Sequence, residues 1–198
     1  MDRNEADSLT NNLLNAVRVI FEAEVARHTA AASQLQRVLD VLPELKLDSE
    51  RPEPTQLPVC RHLSRALDLG EAGPAASVAA AIRHLEPTLE WQHNTRHTVE
   101  LRGAEFMDNY AYSNFGLSGT TTLYVGVMLL GPGITYPVTR YPSEGVFLLI
   151  GGSPQWKSDN EVWRQVEAGD IICRPFDGAE GKRPGEEPML ALYAWMYR

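Results

Sequence analysis

Five histidines, two cysteines and seven tyrosines are the residues of this 198-residue chain best suited to move protons or hold a metal. His93 and His97 stand four apart, a spacing that places two imidazoles on one face of a helix and so could present a metal-binding pair. The surrounding WQHNTRHTVEL runs into strand-like residues and lacks a carboxylate pattern, so hydrogen-bonded histidines are the plainer expectation. If either imidazole reaches a pocket, its ordinary pKa near neutrality makes it the best general acid–base candidate. Cys60 and Cys173 lie far apart with no CxxC, and read as reduced, buried thiols. Tyr110 and Tyr112 flank Ala111 and would share one face of a strand, either touching a ligand or packing. Arg174, just before Pro175, is a candidate for a carboxylate partner, whereas Arg140 reads as a solvated charge. Trp91, Trp156 and Trp163 read as core or interface aromatics.

These residues must be positioned by two stretches of different periodicity. Leu9, Leu13, Val17, Ile20 and Val25, then Leu35, Val38, Leu39 and Leu42, recur at helical spacing and predict helix between Ser8 and Leu42. Ser8 is the expected N-cap and Pro43 the expected stop. The proline-rich, charged Leu47–Pro58 reads as a loop. Further helices are expected at Val59–Leu69 and Ala75–Leu85. From Trp91 the pattern changes to short aromatic and β-branched segments between Gly/Pro turns. Strands are expected at Val99–Leu101, Met107–Ser113, Leu123–Leu130, Ile134–Pro137, Gly145–Ile150, Gln155–Lys157, Glu161–Val166, Asp170–Arg174 and Met189–Met196. The run DGAEGKRPGEE, starting at Asp177, reads as a polar loop with a solvated Glu180. The sum is an α-helical region, residues 1–88, packed on an antiparallel β-barrel, residues 89–198.

Composition narrows the function classes. Hydrophobic residues make up 43% and charged residues 22%, the balance of a folded protein. With 26 acidic against 18 basic residues the net charge is −8, which disfavours nucleic acid and anionic membrane partners. The polar N-terminal MDRNEADSLTNN lacks the apolar run of a signal peptide, and no stretch is long and apolar enough to span a bilayer. A soluble, cytoplasmic protein is expected.

Two segments resemble the cupin motifs. Gly133, Thr139, Tyr141, Gly145 and Gly152 fall at the spacing of the first motif, and Gly169, Pro175 and Glu180 at that of the second. Together with WQHN at Trp91, FMDNYAY at Phe106, the YVGVMLLGPGITYP run and the final EPMLALYAW, they resemble the dimethylsulfoniopropionate (DMSP) lyase and lyase-like cupins. The resemblance implies a single double-stranded β-helix, or jelly-roll, barrel behind an N-terminal helical region. It also implies one divalent metal held by three His and a Glu, and a tyrosine that abstracts the proton α to the substrate carboxylate, releasing dimethyl sulfide and acrylate. A homodimer is implied by analogy.

Carried over position by position, the ligand set departs from that pattern. The first-motif histidines fall on Thr139 and Tyr141, the ligand Glu on Gly145 and the second-motif His on Glu180; a candidate base tyrosine falls on Phe147. Tyr136 and Trp195 keep their family identities. Glu144 is one place off and should face away from the interior. The expectation is therefore no metal and no cofactor, a cavity enlarged at Gly145, and catalysis by Tyr136, Tyr141 and Glu180. Thr139, Phe147, Trp195, Tyr110, Tyr112, His93 and His97 are the expected ligand contacts. Such a pocket would support elimination, isomerisation or cyclisation by tyrosine and carboxylate acid–base chemistry. A non-catalytic binding or structural cupin is the alternative, and an active DMSP lyase the weaker one.

Overall fold

The computed structural model describes residues 2–48, 50, 52–118, 120 and 122–198. Helix α1 (Arg3–Ala26) starts earlier than Ser8, because the Asp2 carboxylate accepts from Glu5 N at 2.8 Å and caps the first turn. Leu13, Val17 and Phe21 form its buried stripe. Helix α2 (Ala32–Val41) contributes Leu35 and Val38, and a 3₁₀ turn at Leu42–Glu44 ends it at Pro43. Of the expected 47–58 loop, Ser49 and Arg51 lie outside the described residues. Its first residue belongs to strand β1 (Lys46–Leu47). Helices α3 (Leu63–Glu71) and α4 (Ala76–Leu85) follow, as their periodicity predicts.

The next segment departs from expectation. Val99–Leu101 is not a strand but part of the short helix α5 (Val99–Arg102), and the start of the expected 107–113 strand is helix α6 (Ala104–Met107). Gly103 separates them at φ 82°, a conformation glycine adopts without steric cost. Strands β2 (Tyr110–Ser113), β3 (Leu117–Ser118), β4 (Leu123–Leu130), β5 (Tyr136–Arg140), β6 (Glu144–Gly151), β7 (Gln155–Ser158), β8 (Arg164–Gln165) and β9 (Ile171–Arg174) come next. They are followed by β10 (Ala179–Arg183) and β11 (Met189–Met196). The expected 161–166 strand is reduced to β8, and β10 occupies what reads in sequence as polar loop.

The larger sheet runs β2-β4-β11-β6-β9 and the smaller β5-β10-β7-β8. All their pairings are antiparallel, the arrangement of a jelly roll. Alternation along each strand of the larger sheet serves two cores. On β11, Leu190, Leu192 and Ala194 meet the helices, while Met189, Ala191 and Tyr193 face the barrel interior. On β6, Val146, Leu148 and Ile150 likewise meet the helices, and Phe147 and Leu149 face inward. The helices thus roof one face of the larger sheet, and its other face forms the wall of the candidate site.

Candidate functional site

Two cross-strand rows build the barrel wall around the candidate site. In the larger sheet, Trp195, Gly145 and Arg174 stand side by side. In the smaller, Thr139 pairs with Glu180, and Tyr136 with Lys182, which in turn pairs with Trp156. The register of β10 on β5 shifts between Glu180 and Lys182. Such a bulge brings Tyr136 and Thr139, three apart, to the same side and leaves Val138 exposed.

Glu180 is the clearest correction. It is a strand residue only 1% exposed, as is Lys182, two places on along the same face. Lys182 Nζ donates to Glu180 Oε1 at 2.9 Å and lies 4.5–4.8 Å from the ring centroids of Trp156, Phe147 and Tyr136. Arg174 closes the other side, its Nε 3.5 Å from Glu180 Oε2. That contact is an ion pair without hydrogen-bond alignment: both atoms lack a hydrogen-bond partner among the described residues, as do Trp156 Nε1 and Trp195 Nε1. The guanidinium is fixed by Ser143 O (2.5 Å), Ser143 Oγ (3.1 Å) and the Tyr141 and Gly178 carbonyls (both 3.3 Å). Burial pushes the Lys182 pKa below its ordinary value, against the opposing pull of Glu180.

The cavity expected at Gly145 is occupied by this arginine. A Cβ at Gly145 would stand 3.1 Å from Arg174 Nη2, 3.2 Å from Nε and 2.9 Å from Phe147 Cε2. The glycine therefore makes room for a guanidinium, not for a ligand. Glu144 points away, as alternation requires, accepting from Arg37 Nη2 at 2.6 Å. Arg140 is a solvated charge paired with Asp159.

A second cluster joins His97 to the phenols. Tyr136 Oη is 2.7 Å from Tyr141 Oη and 2.9 Å from His97 Nε2, while His97 Nδ1 accepts from Arg102 Nε at 3.2 Å. Tyr110 packs edge-on to both His97 and Tyr136. His97 is 3% exposed. Desolvation, then Arg102, Arg96, His93 and Lys182, lower its pKa from 6.5 to about 4, so the ring is neutral at pH 7. Burial raises Tyr110, Tyr136 and Tyr141 above the ordinary phenol value, so all three rest as neutral hydrogen-bond donors rather than phenolate bases. Thr139 donates to Pro137 O at 3.0 Å and also hydrogen-bonds Tyr141.

The remaining expected contacts are spread more widely. His93 and His97 lie in an irregular segment, not on one helix; His93 Nε2 bonds Met107 O at 2.9 Å and stays outside the relay. Phe147 lies beneath Lys182. Trp195 stacks on Tyr193 (centroids 4.2 Å apart) and on Tyr141 (6.2 Å). With Tyr112, Asn114, Tyr124 and Tyr197, it lines an open recess of about 430 Å³ at the barrel mouth. Trp91 and Trp156 are core residues, whereas Trp163 lies under the Arg183 guanidinium at 3.9 Å. Cys60 and Cys173 are free and half-buried, with burial raising both pKa values, Cys173 to about 11. Sequence reasoning missed Lys182, Ser143 and Arg102. The Glu180–Lys182 alternation was the one available signal, hidden by its Gly- and Pro-rich surroundings.

Among the described residues, no three His, Cys, Asp or Glu side chains gather as a metal-binding group, and no helix is long and apolar enough to cross a membrane. A family model, DMSP lyase, matches residues 28–191. The DMSP lyase DddQ of Ruegeria pomeroyi is 27% identical over 97 residues, covering 47% of this chain and 48% of the relative. The DddL protein of Cereibacter sphaeroides is 29% identical over 154 residues, covering 74% and 62%. The chain thus spans about half to three-fifths of these curated relatives. One of the crystal structures of the DMSP lyases RdDddP and RnDddQII superposes with a TM-score of 0.77 at 21% identity, covering 96% of this chain and 93% of that one. The crystal structure of DddQ from Ruegeria pomeroyi DSS-3 gives 0.66, also at 21%, covering 94% and 91%. At that identity the structural likeness speaks for the shared cupin fold.

Proposed function

Since the chain belongs to the DMSP lyase family of cupins, we propose that it is a member that works without a divalent metal, on a small carboxylate-bearing molecule entering at the Trp195 mouth. The observation that carries this reading is Glu180 held between Lys182 Nζ and Arg174 Nε opposite Gly145. A transition-metal site needs three or four donors converging at about 2 Å. The positions of the family ligands instead carry a hydroxyl, a phenol, no side chain and one carboxylate already paired with two cations. This donor set does not fit the metal.

Two buried cations and one carboxylate sum formally to +1. In a low-dielectric interior that charge repels a dication and attracts an anion. A ligand carboxylate, or an enolate developing from it, is the group such a field favours. Tyr141 is the donor placed to meet it: its ring stacks on Trp195, and its hydroxyl continues the chain from His97 through Tyr136. As a neutral phenol, Tyr141 stabilises developing negative charge on oxygen by donation, and Glu180 Oε2, which has no hydrogen-bond partner among the described residues, is the proton acceptor. DMSP, after which the relatives are named, is one molecule of this class.

A non-catalytic cupin, ligand-binding or structural, is the second reading. It is favoured by the packing of Arg174, Lys182, Phe147 and Trp156 through the barrel centre. Three measurements on the full chain separate the readings: metal content by mass spectrometry, dimethyl sulfide release from DMSP with and without chelator, and deuterium uptake α to the carboxylate in D₂O. Substoichiometric metal with chelator-insensitive release or exchange, lost in Tyr141→Phe, supports the enzyme. DMSP binding without either reaction supports the second reading. Stoichiometric metal whose removal abolishes turnover overturns both.

A further inference from the structure

His97 is held at both ring nitrogens, by Arg102 Nε at Nδ1 and by the Tyr136 hydroxyl at Nε2. A guanidinium has donors and no acceptor, so the nitrogen facing it must be bare. The proton of the neutral ring then sits on Nε2 and is donated to Tyr136 Oη. The Tyr136 hydrogen can then be given to Tyr141, 2.7 Å away, and Tyr141 keeps its own hydrogen to donate onward, to Thr139 or to a ligand that displaces that bond. The opposite tautomer reverses each bond: Nε2 would accept from Tyr136, Tyr136 from Tyr141, and Tyr141 would have only a lone pair to offer.

We infer that Arg102 is a positioning residue that, by occupying His97 Nδ1, fixes the imidazole tautomer and so sets the direction of the Tyr136–Tyr141 hydrogen-bond chain. The inference rests on the reading of Tyr141 as the donor to the ligand. Its place in the fold suits this role. Arg102 ends α5, just before the open Gly103 elbow, where a Cβ would meet nothing within 4 Å. Its own exposed face lines a recess of about 510 Å³ with Leu101, Phe106, Ile134 and Pro137. The ring it holds is closed in by Phe106, Tyr110 and Tyr136, each meeting it at a steep angle. The tautomer is thus set from the solvent side of an otherwise sealed relay.

The test is the tautomer itself, read by two-bond ¹⁵N–¹H correlation of the histidine rings in the full chain at pH 7. His97 is assigned by the signal lost in His97→Gln. The expected wild-type pattern is a pyridine-like Nδ1 and a pyrrole-like Nε2. Arg102→Met keeps the aliphatic stem but removes the donor, and should shift the pattern toward mixed tautomers; Arg102→Lys should restore it in part. A wild-type ring protonated on Nδ1, or an Arg102→Met pattern unchanged from wild type, overturns the inference. Should Arg102→Met fail to fold, the wild-type and Arg102→Lys spectra still decide. Because no turnover is measured, failure of the proposed chemistry and failure of this assignment are distinguishable.

Discussion

Glu180→Gln removes the one charge that balances Lys182 and Arg174 while keeping the side chain's shape. Both cations are 1% exposed, so neither can recruit bulk water without opening the barrel. At an effective dielectric of about 20, the Lys182 contact at 2.9 Å corresponds to roughly 6 kcal/mol of gross attraction and the Arg174 contact at 3.5 Å to roughly 5 kcal/mol. Desolvation offsets much of this, and removing one partner of a buried pair typically costs about 3–5 kcal/mol net. For a chain of this size, that loss lowers the Tm by about 6–20 °C. Chemical denaturation of wild type, Glu180→Gln, Lys182→Met and the double variant forms the assay. Lys182→Met leaves Glu180 with Arg174 alone, whereas the double variant removes an anion and a cation together. It should therefore lose clearly less than the two single losses combined. A Glu180→Gln loss under about 1 kcal/mol, or strict additivity in the cycle, would refute the claim that these charges stabilise one another.

Three further outcomes follow from the same geometry. His97 has a lower pKa folded, about 4, than its ordinary 6.5, so the unfolded chain binds the extra proton between those values. Its contribution is complete above pH 6.5 and falls by about 3 kcal/mol as the pH drops to 4, and the difference between wild-type and His97→Gln urea midpoints across that window should show it. Gly145→Ala forces a methyl against Phe147 and the Arg174 guanidinium, and should cost about 1–3 kcal/mol in denaturant melts; an unchanged midpoint would mean the guanidinium is free to move. Gln34 Nε2 donates to the carbonyls of both Gly145 and Arg174 at 3.0 Å, tying α2 to the edge of the larger sheet. Gln34→Leu should lose about 1–3 kcal/mol and speed amide exchange on β9, and a variant as protected as wild type would argue against that tie.

Most of the fold is legible in the sequence because it depends on local pattern. Strands β4 and β11 match their expected limits, since near-continuous apolar runs of eight residues between turns mark where each begins and ends, and side chains alternate in face along each strand. That alternation also places Tyr110 and Phe147 inside and Glu144 outside. The expectation that Thr139, Tyr141 and Gly145 stand where metal ligands would be rests on the resemblance to the cupin motifs. Helices α5 and α6 escape notice because each is only four residues long, too short to show a helical period.

The charged centre depended on tertiary structure. Ala179–Arg183 has the composition of a solvated loop, and its local sequence gives no sign that Glu180 and Lys182 are buried. It becomes an interior strand because β5 and β7 supply hydrogen bonds on both sides, while Arg174 from β9 and three aromatic rings from β5, β6 and β7 receive Glu180 and Lys182. Burying a charge is favourable only when its partners are already fixed in space. Here those partners are brought together from separate strands, so only the folded barrel could decide that a glycine faces a guanidinium instead of a cavity.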